Sequence, residues 1–181
     1  MVKFAFRGDT LQASRKPPPP PINFLSSPLP SKIRVSIASQ RLDLLSPGGE
    51  IIASCPVSTS RFGIGCEEGS FRTPTGQFRI WEKIGEGAAP WTIFKSRVST
   101  GALASPEAEG EEDLILSRIL WLEGLDPENA NTRDRYIYLH GTNQESLIGT
   151  PASHGCVRLS NQDIIEIYEK VAVGTPVEII S

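Results

Sequence analysis

No stretch of about 18 apolar residues occurs, so no helix of this chain is expected to span a bilayer. An ordinary secretion signal is missing as well. Lys3 and Arg7 could form a basic start, but Pro17, Pro18, Pro19, Pro20 and Pro21 fall where an apolar helix should follow. An excess of positive charge is also absent: 18 Lys and Arg against 21 Asp and Glu give a formal net charge of -3, with no sign of a nucleic-acid partner. Neither G-x-x-x-x-G-K-[ST] nor G-x-G-x-x-G is present, and Phe62-Gly-Ile-Gly65 is too weak a likeness to a phosphate loop to count. The lack of C-x-x-C argues against a thiol-redox protein. The three cysteines are an odd number. A Cys55–Cys66 disulfide would leave Cys156 free, but sequence separation does not establish that pairing, and two unpaired, part-buried thiols are the simpler expectation.

What is present suits one domain built from short strands. The 181 residues are enough for a single core, and 16 Gly with 15 Pro supply many turns. Residues 1–31 read as a proline-rich tail or linker, and the domain is expected to run over 32–181. Ile33, Val35 and Ile37 alternate with polar residues, as in a half-buried strand, and 42–45 and 51–57 follow as partners around the Pro47-Gly48-Gly49 turn. Phe78 and Ile80 should share a strand face after the turn at 73–76. Residues 83–113 read as one long loop, a candidate substrate wall, with a solvated acidic cluster at 107–113. For 114–122 periodicity leaves helix and strand both open. A short strand over 136–139 ends at His140, and Gly141 would let the chain turn there. Ser160 with Asp163 resembles a capping box, with Asn161 as the other candidate cap. Ile164, Tyr168 and Val171 then share a helical face, while Glu166 and Lys170 form an i,i+4 pair. Gly174 and Pro176 stop that helix before a last strand. The fold class expected is mainly β, mixed, with a minor helix.

Both histidines and one cysteine lie within 17 positions, as His140, His154 and Cys156. A free thiol has a pKa near 8.5, and an adjacent imidazole can take its proton and leave an ion pair at neutral pH. Gly155, with no side chain, could let backbone N–H groups converge beside the sulfur and stabilise an oxyanion. Other readings stand beside this one. A lone cysteine is often structural. Zinc accepts His140, His154 and Cys156 as ligands, although a fourth ligand and the glutamate of a metalloprotease helix are missing.

The segment ASHGCVRLSNQD at 152–163, the upstream His140-Gly141, TPTGQFRI at 73–80, RYIYLHGTN at 135–143 and GTPVEI at 174–179 together resemble the L,D-transpeptidase catalytic domain, the YkuD or ErfK/YbiS/YcfS/YnhG family, over roughly 33–180. That resemblance implies the family's β-sandwich fold. By position it makes Cys156 the nucleophile and His140 its base, oriented by the Gly141 carbonyl. It gives His154 and Gly155 a share in shaping the catalytic loop, and Ser153 and Arg158 a positioning or substrate-binding role. It implies no metal and no cofactor. It also implies cleavage between meso-diaminopimelate and D-alanine of a tetrapeptide donor, transfer to an acceptor stem as a 3→3 cross-link, capture by carbapenems, and a place in the bacterial cell envelope, in the periplasm. The chain departs from many relatives in showing no wall-binding repeat. Hydrolysis on the same scaffold, by an L,D-carboxypeptidase, uses the same nucleophile, and a non-catalytic wall-binding module is the remaining alternative.

Overall fold

The computed structural model describes residues 30–105 and 112–181; the proline-rich stretch before them and most of the acidic cluster lie outside the described residues. Ten strands and one α-helix follow in the order β1 (Lys32–Ser36), β2 (Arg41–Leu45), β3 (Ile51–Pro56), β4 (Gly76–Ile84), β5 (Thr92–Lys95), β6 (Val98–Leu103), β7 (Ile115–Gly124), β8 (Tyr138–Gly141), β9 (Val157–Leu159), α1 (Asn161–Lys170) and β10 (Pro176–Ile180). The class is mainly β, mixed and with one helix, as the residue pattern led one to expect.

The strands join in the order β3-β2-β1-β10-β4-β7-β5-β6, and β8 branches from β7 and carries β9. The alternation in β1 explains its place. Ile33 and Val35 are buried against Val177 and Ile179 of the parallel strand β10, their register partners. The intervening Arg34 and Glu178 face outward and meet at 3.1 Å, with Lys32 at 3.0 Å from the same carboxylate. Phe78 and Ile80 do share a buried face of β4. Buried side chains from β1–β4, β10, β7–β9 and α1 form one core. Each fully buried Leu, Ile or Val in it contributes about 1.5–3 kcal/mol over exposure.

Residues 114–122 resolve into a strand. β7 pairs with β4, β5 and β8, and Leu116–Leu120 are buried one after another, so both of its faces are covered and its near-continuous apolar run is what a central strand requires. The expectation of one long loop over 83–113 is corrected: β5 and β6 form an antiparallel hairpin within it, joined through β5 to β7. Apolar residues are sparse there, and every residue of β6 is exposed, so the edge strand carries no burial pattern to read.

Ser160 caps α1, accepting from the Asp163 N–H at 3.0 Å. At the other end Lys83 of β4 donates to the carbonyls of Tyr168 and Val171 at 2.6 and 2.7 Å. A cation there complements the negative end of the helix dipole and ties α1 to the sheet. Glu166 accepts from Gln162 at 2.5 Å. No helix among the described residues is long and apolar enough to cross a membrane.

Candidate active site

His140 and Arg158 are register partners on the parallel β8–β9 ladder. Cys156 immediately precedes β9 and packs against the Phe94, Ile119 and Tyr138 cluster, and Tyr138 and His140, two apart on β8, share a face. The Cys156 thiol donates to the Tyr136 carbonyl and its sulfur accepts from the Tyr138 N–H, each at 3.4 Å. The N–H beside the sulfur is therefore that of Tyr138. The Gly155 N–H itself donates to Ser153 Oγ at 3.2 Å.

His140 is only 2% exposed, and its Nδ1 lies 2.8 Å from the Gly141 carbonyl. A carbonyl only accepts, so Nδ1 carries the hydrogen and Nε2 is left with a free lone pair. Gly141 itself does not turn the chain; it is the last residue of β8. A Cβ there would stand 2.5 Å from Asn161 Oδ1 and 2.8 Å from the Leu116 carbonyl, so close approach is what demands glycine. Gly155 needs glycine for the other reason, a φ of +121°.

The loop holding Cys156 is anchored from several sides. Ser153 donates to the Cys156 carbonyl at 2.6 Å, and Thr73 of the TPTG stretch donates to the Gly155 carbonyl at 3.0 Å. Arg158 is 1% exposed, so its guanidinium faces the protein. It donates to the Ala152 carbonyl at 3.1 Å, Gln144 Oε1 at 2.9 Å and Asp113 Oδ2 at 2.6 Å. Asp113 is thus no solvated loop residue; it is the counter-charge of a buried arginine, with its side chain 24% exposed. The same Oδ2 lies 3.8 Å from His154 Nδ1, while His154 Nε2 accepts from Arg61 at 2.8 Å. That bond places the His154 hydrogen on Nδ1 and occupies its other nitrogen.

Burial disfavours the charged form of both groups. Burial pushes the Cys156 thiol up to about 12, with a smaller opposing pull from the Tyr138 N–H. Burial also pushes His140 below its ordinary value, against Asp113 and the Gly141 carbonyl, which favour the charged ring. Desolvation acts against the charged form of both groups, opposite to the ion pair expected from the residues alone. Cys55 is buried in the core, Cys66 is partly exposed, and all three cysteines are free, so no Cys55–Cys66 disulfide forms. Among the described residues no group of three His, Cys, Asp or Glu side chains is placed to hold a metal.

Sequence reasoning missed Arg61, Asp113, Arg135 and the aromatic shelf beside the sulfur. On that shelf Arg97, from the β5–β6 turn, lies over the rings of Trp121 and Tyr136 at 4.7 and 4.8 Å and donates to the Tyr138 hydroxyl at 3.2 Å. Only the third dimension assembles them. The adjacency of Arg135 to the RYIYLHG strand was the one signal available.

The L,D-transpeptidase catalytic domain (YkuD) family model matches residues 30–179. The chain is 54% identical over 46 residues to the probable L,D-transpeptidase YbiS of Escherichia coli K12, covering 25% of this chain and 15% of that one. It is 31% identical over 155 residues to the probable L,D-transpeptidase YcfS of the same organism, covering 82% and 43%. It thus spans less than half the length of either relative. Among solved structures it is similar to L,D-transpeptidase 3 of Mycobacterium tuberculosis in complex with a faropenem-derived adduct, with a TM-score of 0.52, 18% identity and coverage of 84% and 61%. The match over 30–179, on a mainly β fold whose strand β8 carries His140 and holds the Cys156 sulfur through the Tyr138 N–H, places this chain in the L,D-transpeptidase catalytic domain family.

Proposed function

We propose that the protein is a peptidoglycan acyltransferase that forms 3→3 cross-links through a Cys156 thioester. The observation that carries this reading is the clamp on the sulfur, between the Tyr136 carbonyl and the Tyr138 N–H, two residues along β8 from a histidine whose Nδ1 is engaged by the Gly141 carbonyl.

Sγ attacks the carbonyl of the diaminopimelate at the third position of a tetrapeptide donor as its proton passes to His140 Nε2. Because the resting thiol is neutral, proton transfer accompanies attack. The tetrahedral intermediate collapses, the C–N bond breaks, and D-alanine leaves with the proton from His140. The thioester keeps the acyl group activated without a nucleotide. The diaminopimelate amine of an acceptor stem then attacks, His140 takes its proton, and the sulfur leaves and is reprotonated. Gly141 orients the base. Ser153, Gly155 and Arg158 hold the loop, and His154, bonded to Arg61, shapes the wall. The hairpin of β5 and β6, pinned by Arg97, forms part of the acceptor side. The domain of 32–181 would work at the cell envelope, on the periplasmic side, and the faropenem-derived adduct of the mycobacterial relative supports capture of Cys156 by carbapenems and related β-lactams.

Intact-mass measurement tests this. Wild type with a carbapenem or a tetrapeptide stem should gain an acyl adduct that Cys156→Ala lacks. With disaccharide-tetrapeptide, a dimer joined between two diaminopimelates is expected. Tripeptide alone, at saturating acceptor, would make the enzyme an L,D-carboxypeptidase instead.

A further inference from the structure

Glu68 and Arg135 line one cavity of about 110 Å³, together with Phe71, Ile137 and His154. The two charges are not paired with each other, and among the described residues no carboxylate lies within ion-pair distance of Arg135. The guanidinium donates only to neutral oxygens: the Gly65 carbonyl at 3.1 Å, Ser70 Oγ at 3.4 Å and the Arg72 carbonyl at 2.7 Å. Burial pushes its pKa down, so the charge lacks a full counterpart.

The cavity adjoins the nucleophile. A Cβ on Gly155 would lie 3.4 Å from both the Arg72 carbonyl and Ile137 Cδ1, and Tyr136, next to Arg135, holds the Cys156 thiol through its carbonyl. At about 110 Å³ it is well below the roughly 300–1,000 Å³ that takes a whole ligand, so it suits one end-group. It offers one cation, one anion and apolar walls.

We propose that this cavity receives the zwitterionic end of the donor's diaminopimelate side chain, with its carboxylate on Arg135 and its ammonium on Glu68. The proposal rests on the acyl-donor reading above. Among the groups of a tetrapeptide stem, only this one carries both charges on one carbon. The terminal D-alanine has a carboxylate beside an amide, the D-glutamate has a carboxylate alone, and a lysine in the third position would have an ammonium alone.

The test reads binding apart from turnover. Calorimetric titration of Cys156→Ala compares stems containing diaminopimelate, diaminopimelate amidated at the side-chain carboxylate, and lysine. The free diaminopimelate stem should bind about tenfold more tightly than either of the others, the size of one charge-assisted hydrogen bond. Adding Arg135→Gln should bring the diaminopimelate and amidated stems within about twofold of each other, while Arg135→Lys restores part of the preference. Glu68→Gln should instead remove the preference over a stem N-acetylated at the side-chain amine. If Arg135 only braces the 65–72 backbone, all stems weaken alike and the subsite is refuted. Equal affinity for the three stems, or no binding of any, also refutes it. Should Arg135→Gln not fold, the preferences of Cys156→Ala and of the exposed Glu68→Gln decide. Preferential binding by an enzyme that forms no thioester would overturn the acyl-transfer reading and leave the subsite standing.

Discussion

Arg158 and Asp113 form the ion pair on which the catalytic loop rests: a guanidinium 1% exposed, bonded at 2.6 Å to a carboxylate from the segment before β7. Removing one member strands the other in a low-dielectric site. Asp113→Ala should cost about 3 kcal/mol, the low end for a broken buried pair because Asp113 is partly exposed. Urea denaturation measures it. A loss under about 1 kcal/mol would mean that water replaces the carboxylate and the pair is incidental.

Gly141→Ala should destabilise the fold by about 1–3 kcal/mol, since the new methyl meets the Leu116 backbone at 2.8 Å. It should also slow acylation by tenfold or more, because relief of that clash moves the carbonyl that orients His140. Carbapenem acylation followed by intrinsic fluorescence reports the rate. A variant that acylates at the wild-type rate would show that the orientation of His140 is set elsewhere.

Acylation should fall on the acid side only. His140 titrates below its ordinary value of 6.5, so it is a neutral, proton-accepting ring above that pH and loses this capacity as pH falls further. The same depression makes its stability contribution full above pH 6.5 and progressively lost below it, where the unfolded chain binds the proton first. With the thiol at about 12, no alkaline decline arises from Cys156 up to pH 9. An acid limb centred above pH 7 would contradict the neutral-pair description.

Arg97→Ala should free the tip of the β5–β6 hairpin from Trp121 and Tyr136. Two cation–π contacts of about 0.5–1 kcal/mol each predict roughly a fivefold to thirtyfold lower ratio of cross-linked dimer to tripeptide. Product analysis by mass spectrometry gives the ratio. If it is unchanged, the hairpin does not retain the acceptor.

The sequence made the strand faces legible wherever one side is polar, as in β1 and β4, and the cap of α1 could be read from Ser160 and Asp163. β7 was ambiguous because it is covered on both sides, and β5–β6 because β6 buries nothing. Cys156 and His140 stood out through a local motif. Asp113 did not, since its partner is 45 residues away and a carboxylate in an acidic run looks solvated until Arg158 is seen beneath it. Burial of the pair was illegible for a related reason: the residues announce a proton acceptor, but how far water is excluded depends on packing.

A thiol pushed up to about 12 by burial is almost wholly protonated at pH 7. Peroxides and foreign disulfides react with the thiolate, so Cys156 is a poor target for both, although it is partly open to solvent. Its durability under oxidants and its selectivity for acyl donors then share one origin. On the proposed mechanism the thiol stays chemically silent until an electrophile settles beside it.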